Sequence, residues 1–172
     1  MSVLGDASIG SPVQHHRVSI ANDLQWIEGE LETLGNPHNY INQDDLSIFA
    51  IRDALVAPWT FTGLPNSRPE SAFVRKDSVQ FLIFPEEETV ELLRQSPHQE
   101  KLILNLPLAV IRGKLPFLSE ARANNFLDFW KGNFVPVLEA QVHYLGASAG
   151  TLPAQTNLLY VNRTAMQSYV EA

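Results

Sequence analysis

The chain has 172 residues, of which 45% are hydrophobic, 12 are basic and 19 are acidic, which gives a formal net charge of −7. This composition excludes a disordered chain, and the acidic balance disfavours a nucleic-acid partner, because neutralising phosphates requires a positive surface. With no cysteine, the chain has no disulfide, no thiolate nucleophile and no thiolate metal ligand.

The first segment, residues 1–12, is rich in glycine and serine and lacks the basic, apolar core of a signal peptide. We expect it to be a disordered lead. No apolar stretch approaches the about 20 residues that a membrane span requires. The sequence therefore predicts a soluble, cytoplasmic protein.

The first predicted element is a β-hairpin over residues 17–34, with turn residues at 22 and 23. Strict alternation along its second strand turns Ile27 and Leu31 towards a core. The opposite face, which we expect to be exposed, is formed by Trp26, Glu28 and Glu30.

Four further kinds of element complete the first half: a helical turn, a third strand, a proline-containing loop and two short final strands. In chain order they are predicted at 38–46, 47–56, 57–70, 72–75 and 78–84. Residues 85–99 carry acidic side chains early and Arg94 late, before Pro97, which predicts a connector helix aligned with its dipole.

The second half repeats this pattern. Residues 18–34 align without a gap with residues 102–118. The identical pairs are Leu24/Leu108, Ile27/Ile111, Gly29/Gly113, Leu31/Leu115 and Leu34/Leu118. A glycine at the same strand position in both segments predicts a bend or the close approach of another strand.

The remaining elements of the second half follow the order of the first. They are a helix at 119–130 with Ser119 as N-cap, a strand at 133–144, a loop at 145–156, and strands at 158–162 and 165–170. Pro136 within the long strand predicts a sheet edge or a bulge.

These patterns predict a mainly β (α+β) fold made by tandem duplication. The repeats span 13–84 and 100–172, and each forms a small β-barrel or half-barrel with one short helix. A unit of this size buries too little surface to be stable alone, so we expect the two to pack together by pseudo-twofold symmetry.

Several short motifs resemble an uncharacterised bacterial domain family with a small β-barrel pattern. In the second half they are Ile111-Arg112-Gly113, Arg122 with Phe126-Leu127, residues 134–140, and Val161-Asn162-Arg163. In the first half they are Ile27-Glu28-Gly29, Tyr40-Ile41, residues 49–54 and residues 74–77. This resemblance implies an architecture and no activity.

The strand order is more distantly similar to the Sm-type small β-barrel, in which a basic-glycine turn near the end contacts RNA. Both corresponding turns here, residues 75–77 and 162–164, lack that glycine. A degenerate Sm-like RNA-binding protein is therefore an alternative that the resemblance implies.

The sequence contains no phosphate-binding loop, no nucleophile elbow and no zinc-protease motif. We therefore predict a non-enzymatic chain without cofactor or metal. A metal site built from His15 or His16 with His38 and Asp44 or Asp45 is conceivable. Solvated loop histidines are the more ordinary interpretation.

The clearest functional hint is a reversal of charge between equivalent hairpins. Glu28 and Glu30 occupy the positions that Arg112 and Lys114 hold in the second half. Our hypothesis is that the acidic face of one half meets the basic face of the other, within the chain or between chains. The alternative is two independent solvated faces.

Aromatic residues outside the repeated core positions form a second candidate surface. If Trp59 and Trp130 are exposed, they favour a protein interface; if buried, they complete the core. The sequence thus predicts a non-catalytic protein-interaction or regulatory module, with self-association through strand edges. A small-ligand-binding domain is a further alternative.

Overall fold

The computed structural model describes residues 12–85, 95, 98–117, 128, 130–148 and 152–172. The predicted lead, the connector helix and the helix at 119–130 lie almost entirely outside these residues. The predominance of strands that the sequence predicted is confirmed, since ten strands form one antiparallel sheet. Among the described residues, no helix has the length and apolar character needed to cross a membrane.

The first half contributes five strands and one short helix. They are β1 (Val13–Asn22), β2 (Gln25–Leu34), α1 (Pro37–Ile41), β3 (Ile48–Pro58), β4 (Ser71–Arg75) and β5 (Val79–Ile83). The β1–β2 turn forms because the Asn22 Oδ1 accepts hydrogen bonds from the backbone N–H groups of Leu24 and Gln25, both at 3.0 Å. Asn36 caps α1 by accepting from the His38 N–H at 2.8 Å.

The second half contributes five further strands. They are β6 (His98–Asn105), β7 (Ala109–Phe117), β8 (Phe134–Tyr144), β9 (Gln155–Asn162) and β10 (Ser168–Glu171). One-turn 3₁₀ helices, Lys76–Ser78 and Arg163–Ala165, connect β4 to β5 and β9 to β10. Pro136 lies in β8, an interior strand, but residues 134–137 of β8 are in register with β9 alone, so the missing N–H leaves the β7 ladder intact.

The strands follow one another across the sheet in the order β10-β6-β7-β8-β9-β5-β1-β2-β3-β4. Within the described residues the sheet has two ends and is not closed into a barrel, so of the two forms expected for each repeat, a small barrel or a half-barrel, the closed barrel is not observed. The two halves meet where β9 pairs with β5. A twofold axis would bring like strands together, whereas this pair joins the fourth strand of one half to the fifth of the other. The pseudo-twofold packing expected from the sequence is therefore not observed.

The predicted close approach at the two glycines is confirmed. The β2–β3 register shifts at Gly29 and the β7–β8 register shifts at Gly113. A Cβ atom on Gly29 would lie 2.5 Å from the Ile51 side chain and 2.6 Å from the Arg52 carbonyl oxygen. On the facing strands, Asp53 and Glu139 adopt left-handed φ angles of 48° and 49°. Each glycine is therefore required by a bulge that bends its strand pair.

Two hydrophobic clusters fill the interior, and each borrows side chains from the other half. The first core holds most apolar residues of β1–β5 and includes Phe134, Leu138, Leu158 and Tyr160 from the second half. The second core holds most apolar residues of β6–β9 and includes Ala21, Trp26, Ala57, Trp59, Phe81 and Ile83 from the first half. The two halves are therefore interlocked.

Strands β5 and β9 lie between the two cores. Phe81 pairs with Val161 and faces the second core, whereas Leu82 pairs with Tyr160 and faces the first. All five residues of β5 are buried. This accounts for the three consecutive apolar residues at the end of β5, Phe81, Leu82 and Ile83, because a strand covered on both faces does not alternate.

The expected exposure of Trp26 is wrong. Its side chain is only 2% exposed and packs in the second core. The outer face of the β1–β2 hairpin is therefore buried near its turn by residues of the second half. Alternation within the hairpin could not predict this burial, because the contacting residues are distant in sequence.

The two bulge glycines are testable together. Gly29→Ala and Gly113→Ala should each lower the free energy of unfolding by about 1–3 kcal/mol, because the new methyl group meets backbone as well as side chain. Gly146→Ala is the matched control, since its Cβ would lie 3.6 Å from Trp59, an ordinary contact. Urea unfolding measures all three, and equal stability of the three variants would contradict the bulge account.

Candidate functional site

The oppositely charged residues are paired within their own halves. Glu30 lies 2.9 Å from His15 Nδ1, and the Lys114 Nζ lies 2.7 Å from the Glu139 carboxylate. Glu28 accepts a hydrogen bond from the Trp26 indole at 2.9 Å. Four strands separate β2 from β7 in the sheet. In the part of the chain that the structure describes, no ion pair joins the acidic face to the basic face.

Trp59 is a core residue and does not belong to an exposed interaction face, so of the two alternatives that the sequence left open, completion of the core is the one observed. It is 0% exposed and lies in the second core. Its indole Nε1 donates to the Asn22 carbonyl at 2.8 Å, and its backbone N–H donates to the Leu24 carbonyl at 3.0 Å. The next residue, Thr60, donates from its backbone N–H to the Ala147 carbonyl at 2.7 Å. Trp59 thus fastens the β1–β2 turn to the β8–β9 loop.

Trp130 is half-buried beside the junction of the two halves. Its indole donates to the Phe134 carbonyl at 3.0 Å, and its own carbonyl accepts from Arg163 at 3.0 Å. The edge of its ring meets the His38 ring, with centroids 5.8 Å apart. Trp130 is therefore held in place by both halves.

Amide side chains connect the two halves at and beside the β5–β9 seam, and two of them, Gln80 and Asn162, are buried. The Asn42 Oδ1 accepts from the Phe134 N–H at 2.8 Å, and the Asn162 Nδ2 donates to the Val79 carbonyl at 2.9 Å. Gln80 donates to the Asp23 carboxylate and accepts from the Leu108 N–H at 3.2 Å, which joins the two hairpin turns. Sequence reasoning missed these roles; the signal was a glutamine inside an otherwise apolar strand.

His38 extends from α1 into this seam. Its Nδ1 lies 3.2 Å from the Tyr160 hydroxyl, and the two ring centroids are 5.5 Å apart. Burial lowers the pKa of His38 and raises the pKa of Tyr160. Both shifts favour the neutral forms, between which a hydrogen bond from imidazole to phenol or from phenol to imidazole can form.

Arg112 and Lys114 lie in a shallow groove on the outer face of the second half. Lys101 is directly opposite Lys114 in the β6–β7 register, and the groove, of about 460 Å³, is also lined by Glu139 and Gln141. Like charges facing each other across strands are unfavourable, and the Glu139 carboxylate offsets this at Lys114. The remaining positive charge suits an anionic group. Lys101 and Glu139 were missed because their proximity depends on strand register.

The two outermost strands present unpaired edges. Among the described residues, β4 pairs only with β3 and β10 only with β6. Each carries an exposed apolar side chain, Phe73 at 73% and Val170 at 50% exposure. Exposed apolar residues on open strand edges are typical of sites that accept another strand.

The residues considered for a metal site do not come together. Within the described ranges, no group of three or more histidine, aspartate or glutamate side chains is placed to hold a metal ion. His15 instead contacts Glu30, and His38 contacts Tyr160.

Comparisons with protein-family models, with curated proteins and with solved structures found no match to this chain.

The seam at His38 predicts a specific pH dependence. The unfolded chain binds a proton at this histidine near pH 6.5, whereas burial holds the pKa of the folded state lower. The stability that neutral His38 contributes is therefore fully present above about pH 6.5 and is lost as the pH falls from there towards the lowered pKa.

His38→Gln should flatten this part of the stability profile, measured as the urea midpoint over a pH series. His143→Gln, at an exposed position of β8, is the matched control and should leave the profile of the unmodified protein unchanged. A His38→Gln profile with the full acid slope would contradict this assignment.

Proposed function

We propose that this chain is a non-catalytic protein-interaction module that accepts partner strands at the open edges of its sheet. The observation that carries the proposal is the pair of outer strands, β4 and β10, each with an exposed apolar side chain. An unpaired edge offers a row of backbone donors and acceptors, which supply affinity, while neighbouring side chains supply specificity.

The composition of the β4 edge supports this use. Its residues, Ser71–Arg75, contain no proline and no lysine, and the one charged side chain is at the end of the strand. Natural edge strands that must stay unpaired are commonly blocked by a proline, or by a lysine or another charged residue, within the strand. The exposed Phe73 lies in the middle of the strand, where a blocking charge would be most effective.

We also propose that the chain arose by tandem duplication of one five-stranded unit. Three observations support it: the order 5-1-2-3-4 in one half corresponds to 10-6-7-8-9 in the other, Gly29 and Gly113 occupy matching bulges, and Asp53 and Glu139 share left-handed φ angles. The second half then docks on the first through strand edges, which is the same mode that the function requires.

The edge-binding proposal is tested with Phe73→Lys. The immobilised protein is used to capture partners from host extract, each captured protein is purified, and its affinity is remeasured with the variants. A charge in the middle of β4 should weaken binding about tenfold or more, equivalent to about 1.4 kcal/mol. The control is Leu64→Lys, at an equally apolar and 61% exposed position in the β3–β4 loop.

Equal affinity of the Phe73→Lys and Leu64→Lys variants for every purified partner would contradict edge binding at β4. Circular dichroism should give the same spectrum for both variants, since each replaces an exposed side chain.

The groove at Lys101, Arg112 and Lys114 supports a second candidate function, the binding of an anionic group. This candidate relates to both alternatives drawn from the sequence, a degenerate Sm-like RNA-binding protein and a small-ligand-binding domain, because an RNA phosphate and a small anion would be recognised by the same positive charge. Inorganic phosphate and a single-stranded RNA oligonucleotide are the two probes, titrated at low salt.

Arg112→Gln should weaken binding of whichever probe the groove accepts by about fivefold to tenfold, because a charged hydrogen-bond partner is removed. Arg68→Gln, in an exposed loop of the first half, is the matched control. Binding of neither probe, or binding that Arg112→Gln leaves unchanged, would contradict a role for the groove.

A further inference from the structure

We propose that the strand accepted at these edges belongs to a second copy of this chain, with β4 of one chain pairing antiparallel to β10 of the next. The inference rests on the proposed edge-binding function and names its partner. It follows from the internal junction, where the fourth strand of one half, β9, already pairs with the fifth strand of the other, β5. Among the described strands, those that pair on one side only are the remaining fourth strand, β4, and the remaining fifth strand, β10.

The strand registers identify which residues of β5 and β10 are equivalent. Ser19 and Ile103 occupy matching positions in the two aligned segments. Ser19 pairs with Ile83 of β5, and Ile103 pairs with Val170 of β10. Val170 therefore corresponds to Ile83, and its neighbour Tyr169 corresponds to Leu82.

The same reasoning relates β4 to β9. Phe49 and Val135 are matching positions of β3 and β8. Phe49 pairs with Val74, and Val135 pairs with Val161. Val74 therefore corresponds to Val161, and Phe73 corresponds to Tyr160.

The internal junction then sets the register of the proposed one. Leu82 pairs with Tyr160 inside the chain. The equivalent contact between chains places Tyr169 opposite Phe73. On either side of it, Val170 faces Ala72, and Ser168 faces Val74.

The pattern of burial fits this register. Tyr160 is 0% exposed and Ile83 is 3% exposed in the internal junction, whereas their counterparts Phe73 and Val170 are 73% and 50% exposed. In the internal junction, strand pairing buries the apolar side chains at these two positions. At the β4 and β10 edges, the equivalent positions also carry apolar side chains, but these are exposed. Burial of such side chains is the main favourable contribution to association.

The internal junction also indicates where Phe73 would pack. Tyr160 points away from the core of its own half and packs in the core of the other. Phe73 points away from its own core in the same manner, since its neighbour Val74 lies in the first core. In the proposed contact, Phe73 of a neighbouring chain would lie beside Ala165 and Met166, which pack at the β10 side of the second core.

Such a contact uses β4 of one chain and β10 of the other, so the bound pair as a whole keeps one open edge of each kind. Contacts of this kind generate rings when the rotation closes and filaments when it does not. The assembly therefore contains more than two chains, and it does not form through β4–β4 or β10–β10 pairing.

Two edge-blocked variants of the full chain, Phe73→Lys and Val170→Lys, test this design by native mass spectrometry and light scattering. The unmodified protein and the Leu64→Lys control should form species larger than dimers. Each edge-blocked variant alone should be monomeric, because its one intact edge has no partner. An equimolar mixture should form dimers and nothing larger, because one β4 edge and one β10 edge remain.

A monomeric unmodified protein would overturn the inference, as would a Val170→Lys variant that still assembles or a mixture that stays monomeric. Failure of this inference can be distinguished from failure of the proposed edge-binding function. If the chain is monomeric but Phe73→Lys loses a purified foreign partner, edge binding stands and the second copy is wrong.

The register is tested with introduced cysteines, which the natural chain lacks. Phe73→Cys combined with Tyr169→Cys should form disulfides between chains under mild oxidation, because directly opposed residues lie within the Cα separation of about 4.4–6.8 Å that a disulfide spans. Phe73→Cys with Glu171→Cys is out of register by two residues and should cross-link much less. Equal cross-linking of the two pairs would contradict the register.

Discussion

The pairing of β5 with β9 holds the rest of the structure together, because both faces of this strand pair are covered by a core. Phe81 and Val161 fill the second core from one face, while Leu82 and Tyr160 fill the first core from the other. Fully burying a large apolar side chain contributes about 1.5–3 kcal/mol. Separating the halves would expose such side chains on both faces at once, so each half depends on the other for its stability.

Polar side chains in this seam determine how the two halves are aligned. Gln80 and Asn162 are only 3% and 2% exposed, and each is hydrogen-bonded to the opposite half. A shift of one residue along the seam would reverse the two faces of β5 and leave these amides buried without partners. The apolar contacts thus provide most of the stability, and the amides provide the alignment. Because the internal junction pairs a fourth strand, β9, with a fifth strand, β5, the two outermost strands of the described sheet are again a fourth strand, β4, and a fifth strand, β10.

Sequence patterns correctly predicted the features of the fold that depend on residues close together in the chain. Alternation predicted the β1–β2 hairpin and its core face, and the repeated glycines predicted the close approach of a neighbouring strand at both positions. The patterns failed where the covering surface lies far along the chain. Trp26 was expected to be exposed, and the burial of Trp59 was left open, because the core that buries both residues belongs to the other half. The basic groove was not predicted for a similar reason, since only the β6–β7 register places Lys101 opposite Lys114. The single open sheet also required knowing that β9 pairs with β5, which no local signal encodes.

The most direct test of the shared seam places a mutation in one core and observes the other. Ile51→Ala removes a fully buried side chain of the first core, and such a change lowers the stability by about 2–5 kcal/mol. Trp26 and Trp59 report by fluorescence on the second core. If the halves unfold as one unit, the urea midpoint from tryptophan fluorescence will fall as far as the midpoint from circular dichroism. A fluorescence midpoint that stays at its original value while the dichroism transition splits would contradict the account.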